Sequence, residues 1–527
     1  MNKVMIALFA AFNAKEESTQ LKIIVLLFLT AMVALWTVLC GVSHRAPDLD
    51  GMEELVWASS FEWGYYKHPP LPSWVLYGFT SLFGKPVWLV FFAGQIFSAI
   101  GLWFVWLLGC EFTTPRKAAI ATLMVSVTVY FSVRGTIYNH NTVQLWSIAA
   151  SAWLFYRALR YQRTSSWIWL GVVSGLAMLT KYSAAIQFAA FFCFLLRQRH
   201  FRQRPTRKGI AVSLVAFLAV VSPHLYWLYT HSFEPLFYAD KSIVSPGGYA
   251  QSMVELFYFV EDQLARMSPM LIVWAALWHW NRKSKKGARL MGTTSIDAAQ
   301  KPYARALSAW DRSFLLWVGL APFILTLLVS GTLGTRLVAS WATTFFILYG
   351  YYSFWWLAGN ERVNLRRTAI LVIAVHVLMA AGYAVARGPL AYYSGRAARS
   401  TFPGAIISAE MNRQWRERVP SVPLRLVASD TWLGGNIATH ISSKTNVFID
   451  ADYKESPWLD PRSALDCGVL VAYSKTTRGD PAPALKRLFD RAAWRGVASV
   501  PWSGKGSPDI IVNWAIIPPL PACKSAY

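Results

Sequence analysis

Acidic side chains cluster in one short stretch of an otherwise apolar chain. Residues 47–57 include Asp50, Glu53 and Glu54, and the nearby stretch 63–71 reads Trp-Gly-Tyr-Tyr-Lys-His-Pro-Pro-Leu. If a helix begins near Asp50, the three acids share one face at spacing i, i+3 and i+4. Carboxylates this close raise one another's proton affinity unless a cation or a hydrogen-bond donor answers them. The pattern suits acid–base chemistry at Asp50 and Glu53, or a solvated acidic helix start at a membrane surface.

Four basic or imidazole side chains are candidates for binding an anion such as phosphate. Lys67 and His68 directly precede two prolines, which fix the start of the next helix. Lys181 stands alone between apolar stretches, where burying a charge costs free energy. Such a charge indicates a function unless the side chain snorkels to water from a helix end. Arg336 opens an apolar segment, and a lipid-headgroup contact competes there with a catalytic role.

Polar and aromatic side chains near these charges could contact a sugar. The run Tyr138-Asn139-His140-Asn141 offers amide donors and acceptors just before an apolar segment. Helix capping by Asn139 or Asn141 is the alternative role. Tyr66 belongs to a group of aromatic residues that suits either a sugar-stacking surface or the aromatic belt of a membrane protein.

Composition excludes an ordinary soluble enzyme. The 527 residues are 55% hydrophobic and only 15% charged, against about 25% charged in soluble domains. The net charge of +24 could indicate nucleic-acid binding or membrane topology. The basic clusters 197–208 and 282–286 are short connections between apolar runs, as expected for cytoplasmic loops of a membrane protein. We therefore expect no nucleic-acid partner.

Long apolar runs predict a polytopic, mainly α-helical protein, because about 20 apolar residues span the hydrocarbon core. We predict about 11 transmembrane segments, with the amino terminus cytoplasmic and the carboxyl-terminal tail outside. The paired runs 167–180 and 182–196 are short enough to form a shallow hairpin. The predicted spans lie near 21–41, 86–108, 117–133, 141–157, 167–180, 182–196, 209–229, 267–280, 313–331, 337–358 and 368–386.

The pattern changes after residue 386. Short apolar runs alternate there with helix-like stretches, which predicts a small α/β domain. We therefore divide the chain into a membrane catalytic domain, 1–386, with its first outer loop at 42–85, and a periplasmic α/β domain, 387–527. Cys467 and Cys523 both lie in this tail, where a disulfide could persist. The Gly-, Ser-, Thr- and Ala-rich stretch 287–309 is the strongest candidate for disorder.

The combined motifs resemble bacterial glycosyltransferases of family 39, relatives of the protein O-mannosyltransferases and of the aminoarabinose transferase that modifies lipid A. The resemblance covers most of the membrane portion. One departure is Gly51, which follows Asp50 where the family commonly has Glu. The motifs that carry the likeness are Asp50, Trp57, Gly64, His68-Pro69-Pro70, residues 138–141, residues 175–182 and Ser222-Pro223-His224.

The resemblance implies a GT-C type membrane enzyme that moves a sugar from a polyprenyl-phosphate donor to a glycan, lipid or protein acceptor at the periplasmic face of the inner membrane. Asp50 takes the family's catalytic acidic position, as a base or as a group that orients the acceptor, and Glu53 assists. The other expected contacts are the donor phosphate at Lys67, His68, Lys181 and Arg336, and the sugar or acceptor at Tyr66, Asn139, His140 and Asn141.

Two alternatives stay open. No cofactor is expected, but Asp50 and Glu53 could gather a divalent cation. A lipid-linked sugar transporter or flippase would also need charges within an apolar chain. The absence of two similar halves and the large exported tail favour the enzyme.

Overall fold

The chain folds around a continuous helical core that carries a small sheet near its carboxyl terminus. The computed structural model describes residues 3–245, 247–290, 307–357, 359–504, 506–521 and 523. The predicted disordered stretch 287–309 therefore falls mostly outside the described residues. Buried side chains from both parts form one large apolar cluster.

The first part contains fifteen described helices, joined by short turns. Apolar side chains dominate most of them because each packs on neighbours or faces lipid. Their bounds are α1 Lys3–Ser43, α2 Leu49–Trp57, α3 Leu71–Phe83, α4 Trp88–Phe112, α5 Pro115–Ser126, α6 His140–Tyr161, α7 Thr164–Thr180, α8 Ala184–Arg197, α9 Arg204–Thr230, α10 Glu234–Ile243, α11 Gly248–Leu290, α12 Ala309–Phe314, α13 Ala321–Leu333, α14 Glu361–Arg387 and α15 Pro389–Tyr393.

Among the described residues, five helical segments are long and apolar enough to cross a membrane. They are Glu16–Ser43, Trp88–Phe112, Arg204–Thr230, Ala309–Leu333 and Glu361–Tyr393. The segment Ala309–Leu333 includes α12, a π-helical stretch at Leu315–Leu320, and α13. The total of 11 membrane crossings stays a prediction.

Two predicted spans are not continuous helices. The run 117–133 is helical only to Ser126, the end of α5, and continues as turns. The run 337–358 consists of turns and 3-10 segments, including Ala339–Ala342 and Tyr349–Trp355. The first segment is almost entirely buried, and so are most of residues 342–355 in the second. Irregular backbone is tolerated there because it is shielded from lipid.

A turn at Lys181 to Ser183 joins α7 and α8, and the shallow hairpin in the membrane stays a prediction. α7 packs extensively on α6 and α9, so the tip has a fixed position against the helical core. The run 267–280 belongs to the 43-residue helix α11, which begins well before it and contains Pro269.

The carboxyl-terminal unit is a mixed five-stranded sheet with helices, as the alternation of its sequence predicts. The strands are β1 Leu426–Ser429, β2 Asn446–Ile449, β3 Val469–Tyr473, β4 Trp494–Pro501 and β5 Asp509–Ile517, and the helices are α16 Gly404–Arg418, α17 Thr431–Ile441 and α18 Pro483–Asp490. The sheet order is β2-β1-β3-β5-β4. β1 pairs in parallel with β2 and β3, whereas β5 pairs antiparallel with β3 and β4.

This unit packs directly on the first outer loop. α17 lies against α2, and buried residues of both, including Val56 and Ala438, share a small apolar cluster. Gly435 permits the close approach, because a Cβ atom there would lie 2.6 Å from Met52 Sδ. Cys467 and Cys523 form a disulfide.

Candidate active site

The acidic face predicted in the first outer loop belongs to α2. Asp48 caps this helix by accepting a hydrogen bond from the Leu49 amide, and Asp50 follows in the first turn. An acid in the first turn is favourable because the amino-terminal end of a helix carries partial positive charge. Asp50, Glu53 and Glu54 all face one cavity, as their spacing predicts.

Asp50 is held from a neighbouring helix. Asn139 Nδ2 donates a hydrogen bond of 2.8 Å to Asp50 Oδ2. The Asn139 Oδ1 atom meanwhile accepts from the Thr142 amide at 3.0 Å and so caps α6. The predicted alternatives of polar contact and capping therefore coexist in one side chain, and Asn139 contacts Asp50 directly.

Glu53 forms a salt bridge with Lys67. Lys67 Nζ lies 2.6 Å from Glu53 Oε1, and its ammonium also lies 5.2 Å from the ring centre of Tyr66 and 5.8 Å from that of Tyr238. Burial raises the pKa of Glu53, and the Lys67 charge opposes that rise. The pair and its two aromatic neighbours form one preorganised group beside Asp50.

Glu54, the third acid, also lines the cavity but is almost completely buried. Ser73 donates a hydrogen bond of 2.8 Å to Glu54 Oε2, and His140 Nδ1 lies 3.1 Å from Glu54 Oε1. Burial raises the pKa of Glu54 well above its ordinary value. The neighbouring His68 ring is 4.0 Å from that of His140.

His68 differs from the sequence-based expectation of a cation. Burial, together with the charges of His140 and Lys181, lowers its pKa well below the ordinary value. A neutral imidazole can still donate one hydrogen bond to a phosphate oxygen. It therefore suits positioning better than charge neutralisation.

Lys181 extends from the tip of the α7–α8 hairpin into the same cavity. Its Nζ donates a 2.5 Å hydrogen bond to Asn141 Oδ1 and lies 5.8 Å from the ring centre of Trp341. The Gln144 amide also donates to the Lys181 carbonyl at 3.0 Å. These contacts fix the hairpin tip against α6.

Arg336 follows the carboxyl-terminal end of α13. Its backbone amide donates a 2.7 Å hydrogen bond to the Ile243 carbonyl. No described residue forms a salt bridge with its guanidinium group, although the group lines the cavity. Among the lysines and arginines that line the cavity, Lys67, Arg399 and Arg478 each form a salt bridge with a described carboxylate. Lys181 and Arg336 do not, and Lys181 is held by an amide oxygen instead.

One cavity of about 920 Å³ collects nearly all of these groups. Nine of the ten predicted site residues line it, and Tyr66 does not. The Tyr66 ring lies behind Lys67 instead. The nine lining residues are Asp50, Glu53, Lys67, His68, Asn139, His140, Asn141, Lys181 and Arg336.

The sequence did not assign one wall of the cavity to the site. This wall comes from the carboxyl-terminal part of the chain and contains Arg399, Asp430, Trp432, Arg478 and Trp502. The end of the first strand followed by a helix was a recognisable signal for Asp430 and Trp432. Arg399 and Arg478 carry no local pattern that separates them from surface arginines.

The candidate cation ligands are engaged elsewhere. Asp50 accepts from Asn139 and Glu53 pairs with Lys67. Among the residues that the structure describes, no group of three or more His, Cys, Asp or Glu side chains is arranged to hold a metal ion. Activity without a cofactor stays a prediction.

Comparison with known proteins shows a family likeness over part of the chain. Residues 67–227 match the family model for dolichyl-phosphate-mannose-protein mannosyltransferase. The match begins at Lys67 and includes His68, residues 139–141 and Lys181. The resemblance to glycosyltransferase family 39 is confirmed.

One similar sequence and one solved fold cover most of the chain. The sequence is 23% identical over 434 residues to the lipopolysaccharide core galacturonosyltransferase RgtA of Rhizobium johnstonii, covering 78% of this chain and 79% of that protein. The fold resembles ArnT from Cupriavidus metallidurans in its crystal structure with undecaprenyl phosphate, with a TM-score of 0.62 and 13% identity over 93% of this chain and 97% of that one. The apo structure of ArnT gives a TM-score of 0.60. The chain is thus a multi-pass membrane protein with a GT-C fold.

Proposed function

We propose that this protein is a bacterial membrane glycosyltransferase that moves a sugar from a polyprenyl-phosphate donor to a lipopolysaccharide, another glycan, a lipid or a protein. RgtA is a lipopolysaccharide core galacturonosyltransferase, and the ArnT crystal structure contains undecaprenyl phosphate. These relatives support the donor class and the reaction type. We further propose that the cavity faces the periplasm, with the amino terminus cytoplasmic and residues 387–527 outside.

The hydrogen bond from Asn139 to Asp50 inside the charged cavity carries this proposal. It leaves one oxygen of Asp50 without a described hydrogen bond, in a cavity that Lys181 and Arg336 also line. A glycosyl transfer from a lipid phosphate needs these two elements, a base for the acceptor hydroxyl and cations for the leaving phosphate.

The reaction then follows from the placement of these groups. Asp50 takes the proton of the acceptor hydroxyl as that oxygen bonds to the anomeric carbon of the sugar. The bond between this carbon and the phosphate oxygen breaks, and polyprenyl phosphate leaves with the electron pair. Lys181 and Arg336 stabilise the negative charge on the phosphate, with His68 as a hydrogen-bond donor. Glu53 and Lys67 hold the neighbouring wall, and Asn139 orients Asp50.

The polyprenyl chain has an apolar route into this site. Leu325, Val329 and Leu333 of α13 line the cavity, and Val329 and Leu333 are also exposed on the outside of the helix. Because Arg336 follows the same helix, a lipid lying along α13 places its phosphate at Arg336. Tyr66, His140 and Asn141 remain our candidates for contacts near the sugar.

Changing Asp50 to Asn tests the proposal. The amide nearly matches the carboxylate in size but cannot accept a proton. In proteoliposomes with a polyprenyl-phosphate sugar and envelope acceptor, we expect transfer to fall by about 10²–10⁴-fold, with donor binding retained. The control is Asp480→Asn, which changes a carboxylate on the surface of the carboxyl-terminal unit. Near wild-type transfer by a folded Asp50→Asn variant would exclude Asp50 as the base.

A further inference from the structure

One part of the cavity wall is built at the carboxyl ends of parallel strands in the carboxyl-terminal unit. β1, β2 and β3 form the parallel part of the sheet, in the order β2-β1-β3. The chain passes from β1 to β2 on one side and then to β3 on the other side of β1. The crevice between β1 and β3 is therefore a topological switch point, the place where open α/β sheets bind ligands.

Charged residues follow each of these three strands. Asp430 follows β1, Asp450 follows β2, and Arg478 lies in the turn after β3. Arg478 Nη1 lies 2.7 Å from both carboxylate oxygens of Asp450. Asp430 and Arg478 line the same cavity as Asp50, so the switch point of the sheet opens onto the candidate active site.

The backbone that positions Asp450 is strained. Asp450 and Ala451 have φ angles of +49° and +56°, and alanine rarely adopts this left-handed conformation because its Cβ crowds the following carbonyl. Such strain costs on the order of 1–3 kcal/mol and persists where the surrounding structure imposes it, often at binding sites. Here it places the carboxylate that orients Arg478.

Arg478 retains unused donors. Its Nε and Nη2 atoms donate no hydrogen bond to any described residue, and 54% of its side chain is exposed. Arg399, which also lines the cavity, lies 5.7 Å from the ring centre of Trp432 and only 3.5 Å from Asp48 through Nη1. A fixed guanidinium with free nitrogens is well suited to bind phosphate or carboxylate.

The acids close to Arg478 do not form hydrogen bonds with its Nε and Nη2 atoms. Asp430 accepts hydrogen bonds from the Trp432 and Leu433 amides as the cap of α17. Glu455 lies near enough to Arg478 and Asp450 for their charges to affect its ionisation, and burial raises its pKa to about 7. Its negative charge is therefore only partly developed at neutral pH.

The proposed donor does not need this second group of cations. A polyprenyl-phosphate sugar carries one phosphodiester charge, and Lys181 and Arg336 lie on the helical side where its lipid chain enters. Arg399 and Arg478 belong to the carboxyl-terminal unit and line a different part of the cavity, which we assign to the acceptor. Cations held there indicate an acceptor with an anionic group.

We propose that Arg478, oriented by Asp450 and assisted by Arg399, binds a phosphate or carboxylate of an acidic glycolipid acceptor and so determines acceptor specificity. This inference rests on the proposed glycosyl transfer and names its acceptor class. A glycolipid is favoured over a protein because Val329 and Leu333 of α13 line the cavity and are also exposed, which offers an apolar surface to the lipid part of an acceptor.

The test uses the full-length protein in proteoliposomes with a labelled polyprenyl-phosphate sugar. Envelope glycolipids of the producing bacterium serve as acceptors in three portions: untreated, phosphatase-treated, and methyl-esterified at their carboxylates. We expect one of the two treatments to reduce transfer at least tenfold, and the sensitive portion distinguishes phosphate from carboxylate. Equal transfer to all three portions, or transfer to envelope protein alone, would overturn the inference.

Variants connect the effect to Arg478. For Arg478→Gln we expect a KM for the acidic acceptor at least tenfold higher, with the same donor affinity and the same slow donor hydrolysis as the wild type. Arg478→Lys should recover only part of the loss, because an ammonium lacks the planar fork of the guanidinium. Arg487→Gln is the matched control, an exposed arginine on α18 that does not line the cavity.

Donor hydrolysis separates the two possible failures. If the wild type neither binds nor cleaves the polyprenyl-phosphate sugar, the proposed function itself fails. If it transfers sugar but Arg478→Gln shows an unchanged KM for the acidic acceptor, only the assignment of Arg478 fails.

Discussion

Gly435 of α17 packs against Met52 of α2 with no room for a methyl group between them. A Cβ atom at Gly435 would lie 2.6 Å from Met52 Sδ and 3.0 Å from Val56 Cγ2. Because α2 also carries Asp50 and Glu53, this contact ties the position of the catalytic helix to the carboxyl-terminal unit. The unit is therefore part of the active-site framework.

Gly435→Val should separate these two surfaces. Overpacking a tight contact costs about 1–3 kcal/mol, and the displacement of α2 should reduce transfer at least tenfold. Thermal unfolding and transfer assays measure both effects. Gly382→Val is the control, since a Cβ at this helical glycine meets nothing within 4 Å. Adding Met52→Ala to Gly435→Val should restore part of the activity, and no recovery would argue against this contact as the cause.

Asn139 performs two tasks that substitution can separate. Asn139→Asp keeps the helix-capping oxygen but replaces the donor to Asp50 with a second carboxylate. We expect transfer to fall at least tenfold with little change in thermal stability. Asn139→Ala should lose both activity and about 1 kcal/mol of stability. An active Asn139→Asp variant would show that the contact with Asp50 does not position the base.

Lys67 and Glu53 should behave as a coupled pair. Their side chains are only 23% and 16% exposed, so removing one partner leaves a poorly solvated charge. We expect Lys67→Met and Glu53→Gln each to destabilise the protein. The double variant should lose less stability than the sum of the two single losses, with a coupling of about 1–3 kcal/mol. Chemical or thermal unfolding of all four proteins measures this coupling. Additive effects would mean that the pair is not coupled.

Glu455 predicts a pH dependence of stability. Burial, aided by Asp450 and Asp452, raises its pKa to about 7, while Lys67 and Arg478 act in the opposite direction. The folded protein therefore binds this proton more tightly than the unfolded chain. Its contribution to stability should fall as pH rises from the ordinary pKa of 4.5 to about 7. Glu455→Gln should remove this component. The melting temperature of the variant should therefore rise relative to that of the wild type as pH increases over that range. Parallel melting curves would contradict the assignment.

The disulfide between Cys467 and Cys523 fastens the end of the described chain to the turn before β3. It closes a separation of 56 residues. Replacing both cysteines by serine should destabilise the protein by about 2–5 kcal/mol, because the unfolded chain gains freedom. Unfolding of the double variant measures the loss. Cys193→Ser, at a cysteine without a disulfide, is the control and should have little effect.

The sequence alone determined the chemistry of the helical side of the cavity. The acids of α2 share a face because helical spacing is a local property, and long apolar runs predict helices in lipid for the same reason. The family motifs added Asn139, His140 and Lys181, and the structure brings these side chains to one cavity with Asp50. Local alternation also predicted the α/β character of the tail.

Tertiary structure decided which of these groups meet. Asn139 contacts Asp50 across 89 residues, and Arg478 reaches the cavity from a turn after β3. The same packing places Tyr66 behind Lys67 and turns the run 337–358 into enclosed irregular backbone. No local pattern encodes such contacts, because they depend on how distant helices and strands pack. The sequence therefore identified the helical part of the cavity, and only the fold revealed the part that the carboxyl-terminal unit supplies.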